Sequence, residues 1–284
     1  MKKILITGKE GQVGWELQHI LAPFGQILAC DRNVCDLGSK DSIIKVVRDF
    51  KPHIIVNAAA YTAVDKAEAE PDAAMAINGD APGILAEEAK KLNALIVHYS
   101  TDYVFNGEKN NAYNEDDAPQ PLNVYGQSKL AGEQSISQAY NNHIILRTSW
   151  VYGIRGKNFL LTMLKLAKER DQLKIVNDQF GAPTWSRMIA RATAQILACN
   201  DVQNGIFHLT ASGKTTWFDF AKRIFEMVDN RTIKVMPIPA KDYPLPAQRP
   251  VNSVLSNKKI MHAYDLQMPN WDESLLSCLK NETA

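Results

Sequence analysis

The chain has 284 residues, 45% of them hydrophobic, and a formal net charge of +1 from 32 Lys and Arg against 31 Asp and Glu. This is apolar material enough for one large core or two smaller ones. The balance of charge excludes the strongly basic surface of a protein that binds nucleic acid or an anionic membrane.

The first element is the apolar run Lys3-Ile4-Leu5-Ile6-Thr7, too brief for a signal peptide or a membrane span and read as a buried strand. Gly8, Gly11 and Gly14 follow, enclosing Gln12 and Val13, and Trp15 to Leu21 carries apolar residues at helical spacing. Strand, glycine turn and helix in this order suit a pyrophosphate. The turn lets backbone approach the ligand, and the helix N-terminus offers unpaired N–H groups. The spacing is GxxGxxG rather than the usual GxGxxG, so the flanking strand and helix carry most of the reading. Gln26 to Cys30 is the next strand. It ends at Asp31 and Arg32, at the distance from the glycines where an acid binds the adenosine ribose. Asp31 favours free ribose hydroxyls and hence NADH, whereas Arg32 favours a 2′-phosphate and hence NADPH, so both cofactors are expected. Asp36 and Leu37 are assigned to the same cofactor wall.

A helix is expected over Ser39 to Phe50 and a buried strand over Ile54 to Asn57. Ala58, Ala59 and Ala60 then leave room for a flat ligand, or for close packing of a helix on the sheet. Further on come a helix over Pro82 to Leu92 and a strand over Leu95 to Tyr99 that runs into Ser100-Thr101-Asp102. After a polar loop, Glu108 to Asn123, come a helix over Tyr125 to Tyr140 and a strand over Ile144 to Arg147. This alternation predicts an α/β fold, a Rossmann-like doubly wound parallel sheet, with ligands beyond the carboxyl ends of the strands. The second half is less regular. Helices are read over Lys157 to Lys168, Ser186 to Cys199 and Trp217 to Val228, with a strand over Gly205 to Thr210 that can return to the sheet. Pro237, Pro239, Pro244, Pro246 and Pro250 punctuate an extended loop. We expect a dinucleotide-binding domain over 1–150, joined by elements of about 186–228. Residues 151–185 and 229–284 then form a smaller, mixed substrate-binding domain that includes both long loops.

Cys30, Cys35, Cys199 and Cys278 form no CxxC pair and read as reduced, mostly packed thiols of a cytoplasmic protein. The 6 histidines are scattered without metal-ligand spacing.

Tyr125 and Lys129 stand at i and i+4 and share one helix face. A neighbouring cation lowers a phenol's pKa from about 10 toward neutrality. Such a phenol can exchange a proton with an alcohol or ketone oxygen while a hydride moves.

The glycine turn, the Ser/Thr after a strand and the Tyr-x-x-x-Lys pair together resemble the extended short-chain dehydrogenase/reductase superfamily. Six segments are similar, more narrowly, to the dTDP-4-dehydrorhamnose reductase family: 8–17, 57–68, Ser100-Thr101-Asp102-Tyr103-Val104-Phe105, 147–153, 178–184 and Arg249-Pro250-Val251-Asn252-Ser253. The resemblance implies reduction by NADPH or NADH of the 4-keto group of a nucleotide-linked deoxysugar, dTDP-4-dehydro-L-rhamnose. It implies Tyr125 as proton donor, Lys129 as its cation and a ligand of the nicotinamide ribose, and Thr101 as hydrogen-bond partner of the reacting oxygen or the phenol. Asp102 suits a sugar hydroxyl or a loop cap, Trp150 the sugar's apolar face or core packing, and Arg249 the substrate pyrophosphate or solvent. Some family members are described with Mg²⁺ held between subunits through acidic residues. Glu16 stands at a matching position, but the remaining ligands find no match and no metal site is assigned. A homodimer is compatible with the resemblance. Two alternatives stay open: an epimerase or dehydratase of the same superfamily, and a non-catalytic dinucleotide-binding regulatory subunit.

Overall fold

A computed structural model describes residues 1–228 and 233–280. Residues 229–232 and 281–284, parts of the segment assigned to the substrate side, lie outside the described residues.

The first half alternates as the pattern of apolar runs requires. It comprises β1 (Lys2–Thr7), α1 (Gln12–Ile20), β2 (Gly25–Cys30), α2 (Lys40–Phe50), β3 (Ile54–Asn57), α3 (Val64–Ala67), α4 (Pro71–Met75), α5 (Ala81–Lys91), β4 (Leu95–Thr101), α6 (Val124–Ala139) and β5 (His143–Thr148). Between α4 and α5 the helix widens into a π-turn over Ala76–Asp80. The second half holds β6 (Val151–Tyr152), α7 (Phe159–Glu169), β7 (Gln172–Val176), β8 (Phe180–Gly181), β9 (Thr184–Trp185), α8 (Ser186–Ala198), β10 (Gly205–His208), β11 (Thr215–Thr216), α9 (Trp217–Met227), β12 (Lys234–Ile238), α10 (Lys258–Tyr264) and α11 (Trp271–Lys280).

One parallel sheet of six strands, in the order β10-β5-β4-β3-β1-β2, organises the molecule. The chain runs from β1 outward to β2 and then returns past β1 to β3. That reversal opens a crevice at the carboxyl ends of β1 and β3. Strands such as Ile54–Asn57 are buried along their whole length because helices cover both faces. One core, with Ile4, Leu17, Ile189 and Phe207, lies between the sheet and α1 and α8; the other, with Leu5, Val47, Leu85 and Ile145, lies beneath α2 and α5. β10 returns to the sheet beside β5, as its sequence predicts.

A third core, with Tyr152, Leu160, Trp185, Phe220 and Leu275, gathers α7, α9 and α11. The segment 186–228 thus divides, α8 and β10 joining the sheet and α9 joining the third core. Three two-stranded pairs serve this part: β6 with β9, β7 with β12 and β8 with β11. Most are two residues long, too short for an alternating pattern to register. β12 corrects one expectation. Pro237 lies in a strand, opposite Ile175, not in the proline-rich loop; a two-stranded ribbon is all edge, where a missing N–H is tolerated. No helix among the described residues is long and apolar enough to cross a membrane.

One buried cluster fixes α6 to the sheet. The Glu133 carboxylate accepts from Arg147 Nε at 2.9 Å and Nη2 at 2.6 Å, and from the Ser100 hydroxyl. Arg147 and Glu133 are each 2% exposed. Arg147→Met leaves an uncompensated buried carboxylate and is expected to destabilise the fold by about 3–5 kcal/mol. Chemical denaturation measures this directly, and a loss under about 1 kcal/mol would contradict the assignment.

Candidate active site

A cavity of about 500 Å³ runs along the carboxyl ends of the strands and follows their order in the sheet. Asp31, Arg32, Asp36 and Leu37 line it after β2, and Gly8, Gly11, Gln12 and Val13 after β1. Ala58, Ala59 and Ala60 follow β3, Ser100 is the penultimate residue of β4, and Tyr125 and Lys129 come from α6. Residues scattered over more than a hundred positions thus meet along one wall.

The glycines have separate tasks. Gly8 takes a left-handed φ of 72°. Gly14 does not line the cavity; it lies behind the turn, where a Cβ would sit 2.0 Å from the Gly8 carbonyl oxygen. It lets α1 start close against the turn. No side chain caps α1, so its first N–H groups are left for a ligand. Gln12 is also bound to the second half: Nε2 donates to the Val151 carbonyl at 3.3 Å, and Oε1 accepts from Asn158 Nδ2 at 2.9 Å.

Asp31 is not a free acid. Lys9 Nζ lies 2.7 Å from Oδ2, and the backbone N–H groups of Asn33 and Val34 donate to Oδ1. The hydrogen bond from Lys9 holds the carboxyl below its ordinary pKa. Arg32 is largely exposed and reaches Asp36 at 3.5 Å.

Asn123 caps α6 by accepting from the Gly126 N–H at 2.8 Å. Asn78, on the π-turn, is hydrogen-bonded to both backbone groups of Tyr61 and donates to Ser128 at 3.0 Å, joining the loop after β3 to α6. Lys129 is 2% exposed. Its Nζ donates to the Tyr99 carbonyl at 2.6 Å and contacts His98 Nε2 at 3.1 Å. Burial lowers its pKa to about 8 against the field of Glu133. The expected downward shift of Tyr125 is corrected: burial pushes the phenol up to about 12, opposed by a hydrogen bond with Thr101. The i,i+4 spacing is real, but the ammonium is directed to β4, and desolvation dominates the phenol.

Thr101, Asp102, Trp150 and Arg249 do not line this cavity. Thr101 Oγ1 donates to Asp102 Oδ1 at 3.0 Å and accepts from the Tyr103 N–H. Asp102 is 2% exposed. Oδ2 lacks a well-formed hydrogen bond, and burial raises the carboxyl to about 7, with Ser253 and Thr101 opposing but not offsetting the rise. The Tyr103 ring meets Tyr125 edge-on at 6.0 Å and hydrogen-bonds Arg249. Arg249 grips Asp65 through two bonds, at 3.1 and 2.8 Å. Trp150 takes a left-handed φ of 46° and stacks on Trp217, with ring centroids 3.5 Å apart and the planes 7° from parallel.

Thr148 and Val151 after β5, Thr62, and Lys157 also line the cavity and were not singled out from sequence. The carboxyl-end rule that indicates Thr101 would have indicated Thr148. Lys157 sits in an irregular loop and carries no such signal. Glu16, the one candidate for a metal, is paired instead with Arg187 at 3.1 Å. A guanidinium thus holds one oxygen of that carboxylate. Among the described residues no group of three or more His, Cys, Asp or Glu side chains could hold a metal ion.

A doubly wound sheet with a glycine turn at its switch point and a Tyr-x-x-x-Lys pair in the same cavity defines a nicotinamide-dependent enzyme of the extended short-chain dehydrogenase/reductase class. The family described as RmlD substrate binding domain matches residues 1–284. The chain is 45% identical over 295 residues to a dTDP-4-dehydrorhamnose reductase of Burkholderia thailandensis, covering 98% of each, and 47% identical over 281 residues to that of Escherichia coli, covering 94% of each. Among solved structures it resembles a dTDP-4-dehydrorhamnose reductase of Bacillus anthracis in complex with NADP, with a TM-score of 0.95 at 36% identity over 99% of both chains. A Thermus thermophilus UDP-glucose 4-epimerase shares the fold, with a TM-score of 0.84 at 20% identity over 99% of both chains. The chain belongs to the dTDP-4-dehydrorhamnose reductase family.

Asp102 gives stability a pH dependence. The unfolded chain ionises it near the ordinary 3.8, the fold only near 7, so between these values the folded state holds the extra proton. The contribution is complete below about pH 4 and is lost as pH rises through about 7. Asp102→Asn is therefore expected to gain stability relative to the parent across that window, on the order of 4 kcal/mol in full. Parallel denaturation curves at the two ends of the window would remove this account of Asp102.

Proposed function

We propose that the chain reduces the 4-keto group of dTDP-4-dehydro-L-rhamnose to give dTDP-L-rhamnose, with NADPH or NADH as reductant. The observation that carries this reading is the single cavity that joins the glycine turn and Asp31 to Tyr125 and Lys129, in a chain of this family. When bound, the nicotinamide supplies the hydride. The chain's own residues bind, orient and move the proton. The N–H groups at the start of α1 take the pyrophosphate. Asp31 accepts from the adenosine ribose. Lys9 offsets its charge and, with Arg32, makes a 2′-phosphate acceptable.

Tyr125 donates its phenolic proton to the sugar oxygen as negative charge develops there. Burial keeps that phenol protonated in the free protein, the state a donor needs. Thr101 steadies the phenol, and Lys129 donates to the nicotinamide ribose. Asp102, Trp150 and Arg249, with the third core behind them, form the substrate side. Asp102 accepts from a sugar hydroxyl. Arg249 shares its guanidinium between Asp65 and the substrate pyrophosphate.

The deciding assay supplies dTDP-4-dehydro-L-rhamnose with NADPH or NADH and follows nicotinamide oxidation; no oxidation with either would sink the reading. Tyr125→Phe is expected to bind cofactor as the parent does while losing turnover by about a hundredfold or more. Wild-type turnover in that variant would exclude Tyr125 as the proton donor. Arg32→Ala is expected to raise the KM for NADPH by about tenfold and to leave that for NADH nearly unchanged. Equal effects on both would remove Arg32 from the 2′-phosphate.

A further inference from the structure

Three neighbouring strands place polar residues in one row of the sheet, at the ends of β1 and β3 and within β4. Thr7 of β1 stands opposite Asn57 of β3, and Asn57 opposite His98 of β4. All three are buried, each 1% exposed; the buried residues before them in β1, β3 and β4 are apolar. They are hydrogen-bonded in series. Thr7 Oγ1 lies 2.6 Å from Asn57 Oδ1, Asn57 Nδ2 lies 3.0 Å from His98 Nδ1, and His98 Nε2 lies 3.1 Å from Lys129 Nζ. At the far end the Ala59 amide, in the cavity wall, donates to Thr7 Oγ1 at 3.3 Å. A line of single hydrogen bonds therefore connects the wall beside the glycine turn to Lys129.

Counting donors allows this line one state while Lys129 is charged and opens a second when it is neutral. An ammonium only donates, and a neutral imidazole donates once and accepts once. The oxygen and nitrogen of an Asn amide exchange by a half-turn. With Lys129 charged, His98 Nε2 accepts, Nδ1–H donates, and Asn57 must turn its oxygen to His98 and its nitrogen to Thr7. With Lys129 neutral, the amine gains a lone pair and a second state opens: Nε2–H donates to the amine, Nδ1 accepts from the Asn57 nitrogen, and the Thr7 hydroxyl donates to the Asn57 oxygen, the arrangement in which these side chains stand. His98 stays neutral in both, because burial and then the charge of Lys129 hold it well below its ordinary pKa. Going from the first state to the second releases one proton from Lys129 to solvent and moves the imidazole hydrogen from one ring nitrogen to the other.

The other ionisable groups facing this line are few. Glu133 and Tyr125 lie on α6, one turn either side of Lys129, and Asp102 lies in the turn after β4. Arg147 of β5 is engaged with Glu133. Thr7 and Asn57, from β1 and β3, carry no charge.

We propose that His98 and Asn57 are positioning residues for Lys129: the His98 tautomer follows the lysine's charge and the Asn57 amide turns with it. Either charge state is then accommodated in the buried site with no imidazole or amide nitrogen unpaired. The inference rests on Lys129 being a working residue of the active site proposed above.

Nitrogen NMR of the His98 imidazole in the full, ligand-free chain tests it between about pH 6 and pH 10. The expected result is Nδ1–H at the low end and Nε2–H at the high end; one tautomer throughout overturns the proposal. In Asn57→Asp a carboxylate can only accept, so Nδ1–H is expected across the range; a switch surviving there at the parent's pH overturns it too. In turnover assays His98→Leu is expected to move the alkaline limb of kcat down by about one pH unit. His98→Gln, which can accept from Lys129 and donate to Asn57, is expected to restore it. An unmoved limb in His98→Leu overturns the proposal. The tautomer measurement needs no substrate, so its failure and a failure of the proposed reaction are separate results.

Discussion

A lysine ammonium buried at the edge of a parallel sheet constrains much of this structure. Taking a cation out of water costs several kcal/mol unless the fold returns hydrogen bonds to it. Lys129 receives them from a carbonyl and an imidazole, with no carboxylate among its bonded partners. Both acceptors sit at the carboxyl end of β4. Helix α6 must therefore dock in one register on that strand, and the imidazole needs a further partner in turn. Asn57 and Thr7 follow from that need. The polar ends of β1 and β3, and His98 within β4, answer to one buried charge.

The neighbouring charge on the same helix is treated differently. Glu133, one turn on, has a bidentate arginine and a serine hydroxyl. Such a cluster is fully compensated, and it orients α6. Lys129 is hydrogen-bonded to neutral groups, with Glu133 acting only through its field, and its pKa falls to about 8. A group left close to neutrality beside a cavity is one whose charge can change during a reaction. The division of labour along α6 is thus set by the partners that β4 and β5 offer, with the helix supplying only the spacing.

Local order in the sequence carries far in the first half. Apolar runs of strand length, a glycine turn between strand and helix, and acidic or small residues just past the strands all report contacts made within a few residues or one crossover. The cavity wall from Asp31 to Lys129 was legible for that reason. What was not legible depends on partners distant in the chain. Lys9 neutralises Asp31 only because the turn after β1 passes beside the end of β2. Arg249 is claimed by Asp65, 184 positions away, and one face of Trp150 by Trp217. The phenol of Tyr125 was misjudged because helical spacing says that two side chains share a face, while the direction of the lysine's end and the depth of burial come from the sheet. Pro237 read as a loop residue because nothing local announces a two-stranded ribbon.

The two halves are not independent at the point where a dinucleotide would enter. Gln12, at the start of α1, bonds to the carbonyl of Val151 and to Asn158, and Asn158 bonds in turn to the carbonyls of Gly153 and Arg155. Asn158 is also the N-cap of α7, accepting from the Leu161 N–H at 3.0 Å. One amide side chain thus ties the glycine turn to the first helix of the third core. A ligand that displaced the Gln12 side chain would break these bonds, and α7 rests directly on them. Coupling between a nucleotide bound at the sheet and the packing of the second half needs no long pathway in this fold, because Gln12 and Asn158 form a single contact between the two.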